Sequence, residues 1–331
     1  MAAVLYAGLS ATAPDYPAHR DFDQVWFAAH AMLHGQSPYQ LIGPGKPFYW
    51  PWNFYYPMTA AVVGLPVAWL PMLAARLVFV GLSAFAFTYT ITRDGWFRLP
   101  AVLSASFIIA ADSVQWSPLL IAAALTPGLA WLTVAKPNIG AALLLARLRR
   151  GVLVPAIGVG LVILALSFEL APHWPADWIA AMRVGGYHPK PLVATLFGPI
   201  VLLALLRWRL AEARLLLLMV CVPHTLAPYE TLELFLIPSS RRQALTLALL
   251  SYIASTVQEV SAHYGRNYAY NAPLCEAAFV LAMYLPALVM VLRRPNEGEL
   301  PAVIDRIASR FPSWLRGSQV AVTFRDGHHA A

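Results

Sequence analysis

Apolar residues dominate this chain in long runs, separated by short basic turns in some places and by longer polar, aromatic segments in others. The runs fall at about 72–92, 99–111, 117–135, 151–168, 191–206, 213–223, 228–238, 243–260 and 271–292. A bilayer core needs about 20 helical residues, so the longer runs predict crossings. Residues 2–12 are apolar but too short for one, and no basic segment precedes them as it would in a signal peptide. The first helix is therefore expected to span only partly, or the start to lie inside it. Residues 138–146 form another short apolar piece. Residues 54–70 open on Tyr55-Tyr56-Pro57 and close on Leu70-Pro71, which predicts a helix packed at one face rather than a crossing. Ahead of them, Val25, Trp26, Ala29, Met32 and Leu33 recur at helical spacing and predict an amphipathic interfacial helix.

Composition agrees with that pattern. The hydrophobic fraction is 59% and the charged fraction 12%, against roughly 45–50% and about 25% in soluble domains. The expected fold class is all-α, a polytopic integral membrane protein. Residues 1–293 would form the transmembrane domain, with a first outer loop at about 13–71, and residues 294–331 a cytoplasmic tail. The net charge of +7 then reports topology rather than affinity for nucleic acid. If 54–70 and 138–146 do not cross, one face holds Arg20, Lys46, Arg76, Arg183, Lys190 and Arg266. The other face, Lys136 among its residues, holds the remaining 17 of the 23 Lys and Arg. The positive-inside rule puts that second face, with the tail, in the cytoplasm. Cys221 and Cys275 both lie in apolar runs, and no disulfide framework is expected.

This topology gathers the acidic and histidine residues outside: Asp15, Asp21, Asp23, Asp112, Glu169, Asp177, Glu230, Glu233 and Glu259, with His19, His30, His34, His173, His188, His224 and His263. Each candidate also has a plain structural reading. Asp21 with Gln24 three residues on looks like a capping box. Asp23 would sit in a first helical turn, where a carboxylate suits the helix dipole. His30 and His34 have the spacing of metal ligands but no third ligand in view, so a solvated face is the simpler account. His224, at the outer end of a span, and Glu276, inside the last one, would be costly against lipid and should face the protein interior.

The pattern Asp21-Phe22-x-x-x-Trp26-x-Ala28-Ala29, followed by Leu33-x-Gly35-x-x-Pro38-Tyr39, resembles the first outer loop of glycosyltransferase family 87. That family groups GT-C type membrane enzymes, including polyprenyl-phosphate-mannose-dependent mannosyltransferases and arabinofuranosyltransferases. The similarity continues through Phe54-Tyr55-Tyr56-Pro57-Met58 to Leu70-Pro71, with Met58 where the family usually has a second proline. Val114-Gln115-Trp116 resembles a Gly-Gln element without its glycine. Lys136-Pro137-Asn138 resembles a Lys-Pro-Gln element, and Pro223-His224 through Tyr229-Glu230 a later outer loop. These matches are spread over about residues 20–240.

The resemblance implies a GT-C-like bundle that moves mannose or arabinofuranose from a polyprenyl-phosphate carrier to a lipid or glycan acceptor at the outer face of the plasma membrane. Asp21 would be the catalytic base and His224 a second catalytic residue, with Arg20, Asp23, Tyr39, Gln115 and Glu230 as substrate-binding candidates. A phosphate leaving group needs cations or hydrogen-bond donors, not an acid. Neither a metal nor another cofactor is expected, although Asp21-Phe22-Asp23 has the form of a metal-binding Asp-x-Asp. The rival reading is a transporter or lipid flippase, which would place ionisable groups near the midplane and often carries inverted repeats. No repeat is visible in this chain.

Overall fold

The computed structural model describes residues 20–93, 95–184, 190–224, 227–264 and 268–317. The apolar run at 2–12 lies outside them, as do Asp15, His19, His188, Arg266 and the side chain of His224. The described chain is helical almost throughout, with α1 (Asp21–Leu33), α2 (Met58–Gly64), α3 (Met72–Thr92), α4 (Ala105–Asp112), α5 (Ser117–Leu125), α6 (Pro137–Arg147), α7 (Arg150–Leu170), α8 (Trp174–Val184), α9 (Ala211–Cys221), α10 (Arg241–Tyr264), α11 (Tyr268–Phe279) and α12 (Leu285–Leu292). Two short strand pairs complete it. β1 (Ile42–Gly43) lies beside β2 (Phe48–Tyr49), and β3 (Lys190–Pro191) runs antiparallel to β4 (Pro223–His224), with Lys190 opposite His224.

Among the described residues, three helical stretches are long and apolar enough to cross a membrane: Met72–Thr92, Arg150–Leu170 and Pro273–Leu292. Only 33% of α3 and 28% of α7 is buried. Leu82, Phe85 and Tyr89 on α3, and Val154 and Leu161 on α7, point outward. Such contiguous apolar faces are stable against hydrocarbon rather than water. The third stretch joins α11 to α12 through a π-helical segment, Val280–Tyr284. Pro286, just beyond it, has no N–H to donate into the α-helical ladder, which accounts for the wider winding there. Several shorter apolar runs are 3-10 helices: Trp96–Leu103, Pro127–Ala135, Gly198–Arg207 and Pro228–Leu236. At a rise of about 2.0 Å per residue, nine such residues reach about 18 Å, farther than the same run wound as an α-helix.

Arginines tie one end of the bundle together. Arg207 donates to the Arg294 carbonyl, Arg214 to those of Ala146 and Trp208, and Arg98 to that of Leu236. Arg209 pairs with Asp305 at 2.8 Å, holding the C-terminal segment against this end. The opposite end is made by α1, the 42–57 loop, α8 and the β3–β4 pair. There Trp178 donates to the Tyr55 carbonyl at 2.8 Å, Ser37 to Asp177 at 3.2 Å and Asn53 to the Ala181 carbonyl at 3.3 Å.

Two elements differ from the sequence expectation. Residues 117–135 are not one rod: α5 stops at Leu125, Thr126 is extended, and the chain reverses so that Pro127–Ala135 packs beside both α5 and α7. Just ahead of the run α4 and α5 meet at 110°, where Pro118 opens α5 after Val114 takes a left-handed backbone, φ 53°. Gly140 allows the next close approach, since a methyl group there would overlap the Thr133 carbonyl. Residues 138–146, expected not to cross, lie in α6, which leads from Lys136 to the arginine end. Lys136, expected at the basic face, therefore lies at the opposite end beside Glu230. The second difference is α1, which is packed into the protein rather than laid on its surface. Phe22, Val25, Ala28, Ala29 and Met32 are buried, and Trp26 donates to the Leu70 carbonyl at 3.1 Å.

Candidate functional site

The candidate site is built on the first turn of α1. Helix α1 begins at Asp21, so the cap is Arg20, not Asp21. Asp23, three residues into the helix, accepts the Arg20 backbone N–H at 2.6 Å, the capping role expected of its neighbour. Its carboxylate also pairs with Arg76 of α3: Arg76 Nε donates to Oδ1 at 3.1 Å, and Nη2 to Oδ2. Asp23 is 0% exposed and Arg76 4%. Both carboxylate oxygens are occupied inside the protein, so Asp23 anchors α1 to α3 and faces no ligand. Arg20 is likewise buried.

With the cap supplied by Asp23, the Asp21 carboxylate is turned to other partners. Gln24 donates to Oδ1 at 2.8 Å; Tyr56 donates to Oδ2 at 3.2 Å, and Gln115 to the same oxygen. The backbone N–H of Asp21 reaches the Ser113 carbonyl at 3.2 Å. These contacts join α1 to the Tyr55-Tyr56-Pro57 loop and to the bend at Val114. The bend delivers Gln115 because Val114 adopts a conformation that favours glycine, the residue of the family element it resembles. A carboxylate offers about four lone-pair positions, and three donors fill three of them. Among the described residues, no donor takes the second position on Oδ1.

Burial pushes the Asp21 carboxyl above the ordinary carboxylate range. The charge of Lys136 and the hydrogen bonds from Gln115 and Tyr56 pull it back in part, and Glu230 adds to the rise. The Tyr56 phenol is pushed well up by burial and by the Asp21 charge, so it stays a donor. Lys136 sits where the reversed chain ends. Its Nζ lies 3.1 Å from Glu230 Oε1 and 5.2 Å from the centre of the Tyr229 ring.

The structure thus gathers Asp21, Gln115 and Glu230, and adds Gln24, Tyr56, Lys136 and Tyr229. It leaves Asp23 and Arg20 in the framework. Tyr39 is one step removed: its hydroxyl donates to the Tyr56 carbonyl at 2.9 Å. His224 lies on β4 opposite Lys190, whose Nζ is 2.6 Å from Glu276 Oε1. His34 Nδ1 bonds the His30 carbonyl at 2.8 Å, and no cluster of three potential metal ligands occurs among the described residues. Tyr56 and Lys136 both stand in motifs visible in the sequence. Tyr56 carried no chemistry by residue type, and Lys136 was assigned to the wrong end by its charge. In comparisons with family models, with curated proteins and with solved structures, nothing matches this chain.

Proposed function

We propose that the chain is a polytopic membrane glycosyltransferase that uses a polyprenyl-monophosphate sugar, with Asp21 as general base. The observation that carries this reading is the Asp21 carboxylate. It is held by three donors, raised in pKa by burial, left with one open lone pair among the described residues, and set beside the Lys136–Glu230 pair. The acceptor hydroxyl gives its proton to Asp21 as its oxygen bonds to the anomeric carbon. The bond from that carbon to the phosphate oxygen breaks, and the polyprenyl phosphate leaves with the electron pair. Lys136 supplies a cation close enough to act on Asp21 and suited to the developing phosphate charge. His224 and Lys190, paired across β3 and β4, are the further outer-face donors in this reading.

Orientation follows from the basic residues. With Lys136 moved, they divide 16 to 7, which still favours the arginine end in the cytoplasm.

The test is Asp21→Asn in the purified protein, assayed with a polyprenyl-phosphate sugar for both binding and transfer. The amide keeps an acceptor oxygen for Tyr56 and Gln115 but cannot take a proton. Transfer should fall by about 10²–10⁴ with donor binding retained. Near-native transfer, or movement of the lipid across the bilayer with no bond made, would remove the reading.

A further inference from the structure

Beside the proposed site, at the same end of the bundle, a cavity of about 570 Å³ opens between the 43–53 loop and α8. That volume lies within the roughly 300–1,000 Å³ of small-molecule sites. We infer that this cavity is a carbohydrate-binding subsite that holds the inner residues of a glycan acceptor while its terminal hydroxyl reaches Asp21. The inference rests on the glycosyltransferase reading and names the acceptor class.

The lining argues for a neutral polyol rather than an anion or a lipid tail. Lys46 and Asp177 bring one charge of each sign, and Asn53 brings an amide. Lys46 Nζ donates to the Tyr39 carbonyl at 2.7 Å, which uses one of its three N–H groups. Ser37 donates to Asp177 Oδ2 at 3.2 Å, fixing that carboxylate in place. Trp52 is 49% exposed on the rim and offers a flat ring for the apolar face of a sugar. An isolated phosphate would meet Asp177 as well as Lys46, and an alkyl chain would match none of the polar groups of Gln40, Lys46, Asn53 and Asp177.

The cavity is also joined to the proposed site. Tyr39 lines its wall and donates to the Tyr56 carbonyl at 2.9 Å, and the Tyr56 hydroxyl donates to Asp21 at 3.2 Å. Two buried tyrosines thus tie the cavity wall to the base and set the distance between a glycan held in the cavity and Asp21. The tyrosines would keep the two pockets in register.

The test uses free manno- and arabino-oligosaccharides of one to four residues. Binding is read by calorimetry on the Asp21→Asn protein, which isolates binding from turnover. Affinity should rise with chain length, and Trp52→Ala should weaken the longest ligand about tenfold while leaving the monosaccharide unchanged. Because Trp52 is half exposed, this variant should fold. Asp177→Asn keeps the shape and provides a second reading, again with a loss confined to the longer ligands. In transfer assays, Trp52→Ala should raise KM for a long acceptor and leave the KM for the lipid donor alone. Affinity that does not grow with length, or Trp52→Ala and Asp177→Asn proteins that bind all lengths normally, would overturn the subsite. Those results would leave the enzyme reading intact, which stands or falls with transfer by the native protein and its loss in Asp21→Asn.

Discussion

Replacing Asp23 by Asn should destabilise the protein strongly although the substitution changes almost no volume. Asp23 is 0% exposed and Arg76 4%, so the variant would take the Asp23 charge away from a buried guanidinium. Removing one partner of a buried pair costs about 3–5 kcal/mol. The Asn oxygen can still accept the Arg20 backbone N–H, so the cap survives and the loss falls on the pair with Arg76, which loses both the charge and the acceptor of its Nε. At about 2 °C per kcal/mol for a large chain, the fall in Tm is on the order of 6–10 °C. Thermal unfolding in detergent, followed by tryptophan fluorescence, measures it. The double variant Asp23→Asn with Arg76→Met removes the buried charge and should recover most of the loss. A single variant within about 2 °C of the native protein, or a double variant that melts no higher than the single, would refute the anchoring role. Activity of the single variant should fall without a change in its pH profile, because Asp23 holds the start of α1 and takes no part in proton transfer.

The rate should rise with pH along an acid limb set by Asp21, centred above the ordinary carboxylate range because burial raises that group. Protonated Asp21 cannot act as base, and Lys136→Gln, which removes the charge that lowers it, should move the limb to still higher pH. The same raised group stabilises the fold when protonated, so its contribution is full below the unfolded pKa and is lost as pH rises through the folded one. Val114→Gly should be at least as stable as Val114→Ala, since only glycine relieves a φ of 53°; a Gly variant less stable by about 1 kcal/mol, the usual order, would contradict the left-handed bend. In a Cys221→Ser background, an impermeant thiol reagent applied to intact cells should label Tyr49→Cys and spare Arg310→Cys, and the reverse pattern would invert the proposed orientation.

The long helices and the first turn of α1 were legible because they depend on local signals. The runs at 72–92, 151–168 and 271–292 carry their period and length in the sequence, and the structure has helices there. The acidic start at Asp21 was equally visible, but which carboxylate caps the helix was not. The Asp21–Gln24 spacing fits a capping box as well as Asp23 does, and the choice turns on Arg76, 53 residues away. Lys136 was misplaced for a related reason. Charge near a run's end reports its side only if the run crosses, and the reversal between α5 and Pro127–Ala135 is made at Thr126 and Pro127, which hydropathy does not show. Gln115 was legible through motif resemblance alone, whereas Glu230 also fell among the outer acidic residues by topology. Tyr56 stands in a motif, but a tyrosine next to a proline reads as a turn until its hydroxyl is placed on Asp21.

The most direct measurement is a single-turnover reaction of the purified protein with a radiolabelled polyprenyl-phosphate sugar and a glycan acceptor, in detergent with a metal chelator and no nucleotide sugar. The account predicts that label passes to the acceptor through a new glycosidic bond while free polyprenyl phosphate appears in equal amount. Label that stays on the lipid, or that moves only when a nucleotide sugar is supplied, would contradict it.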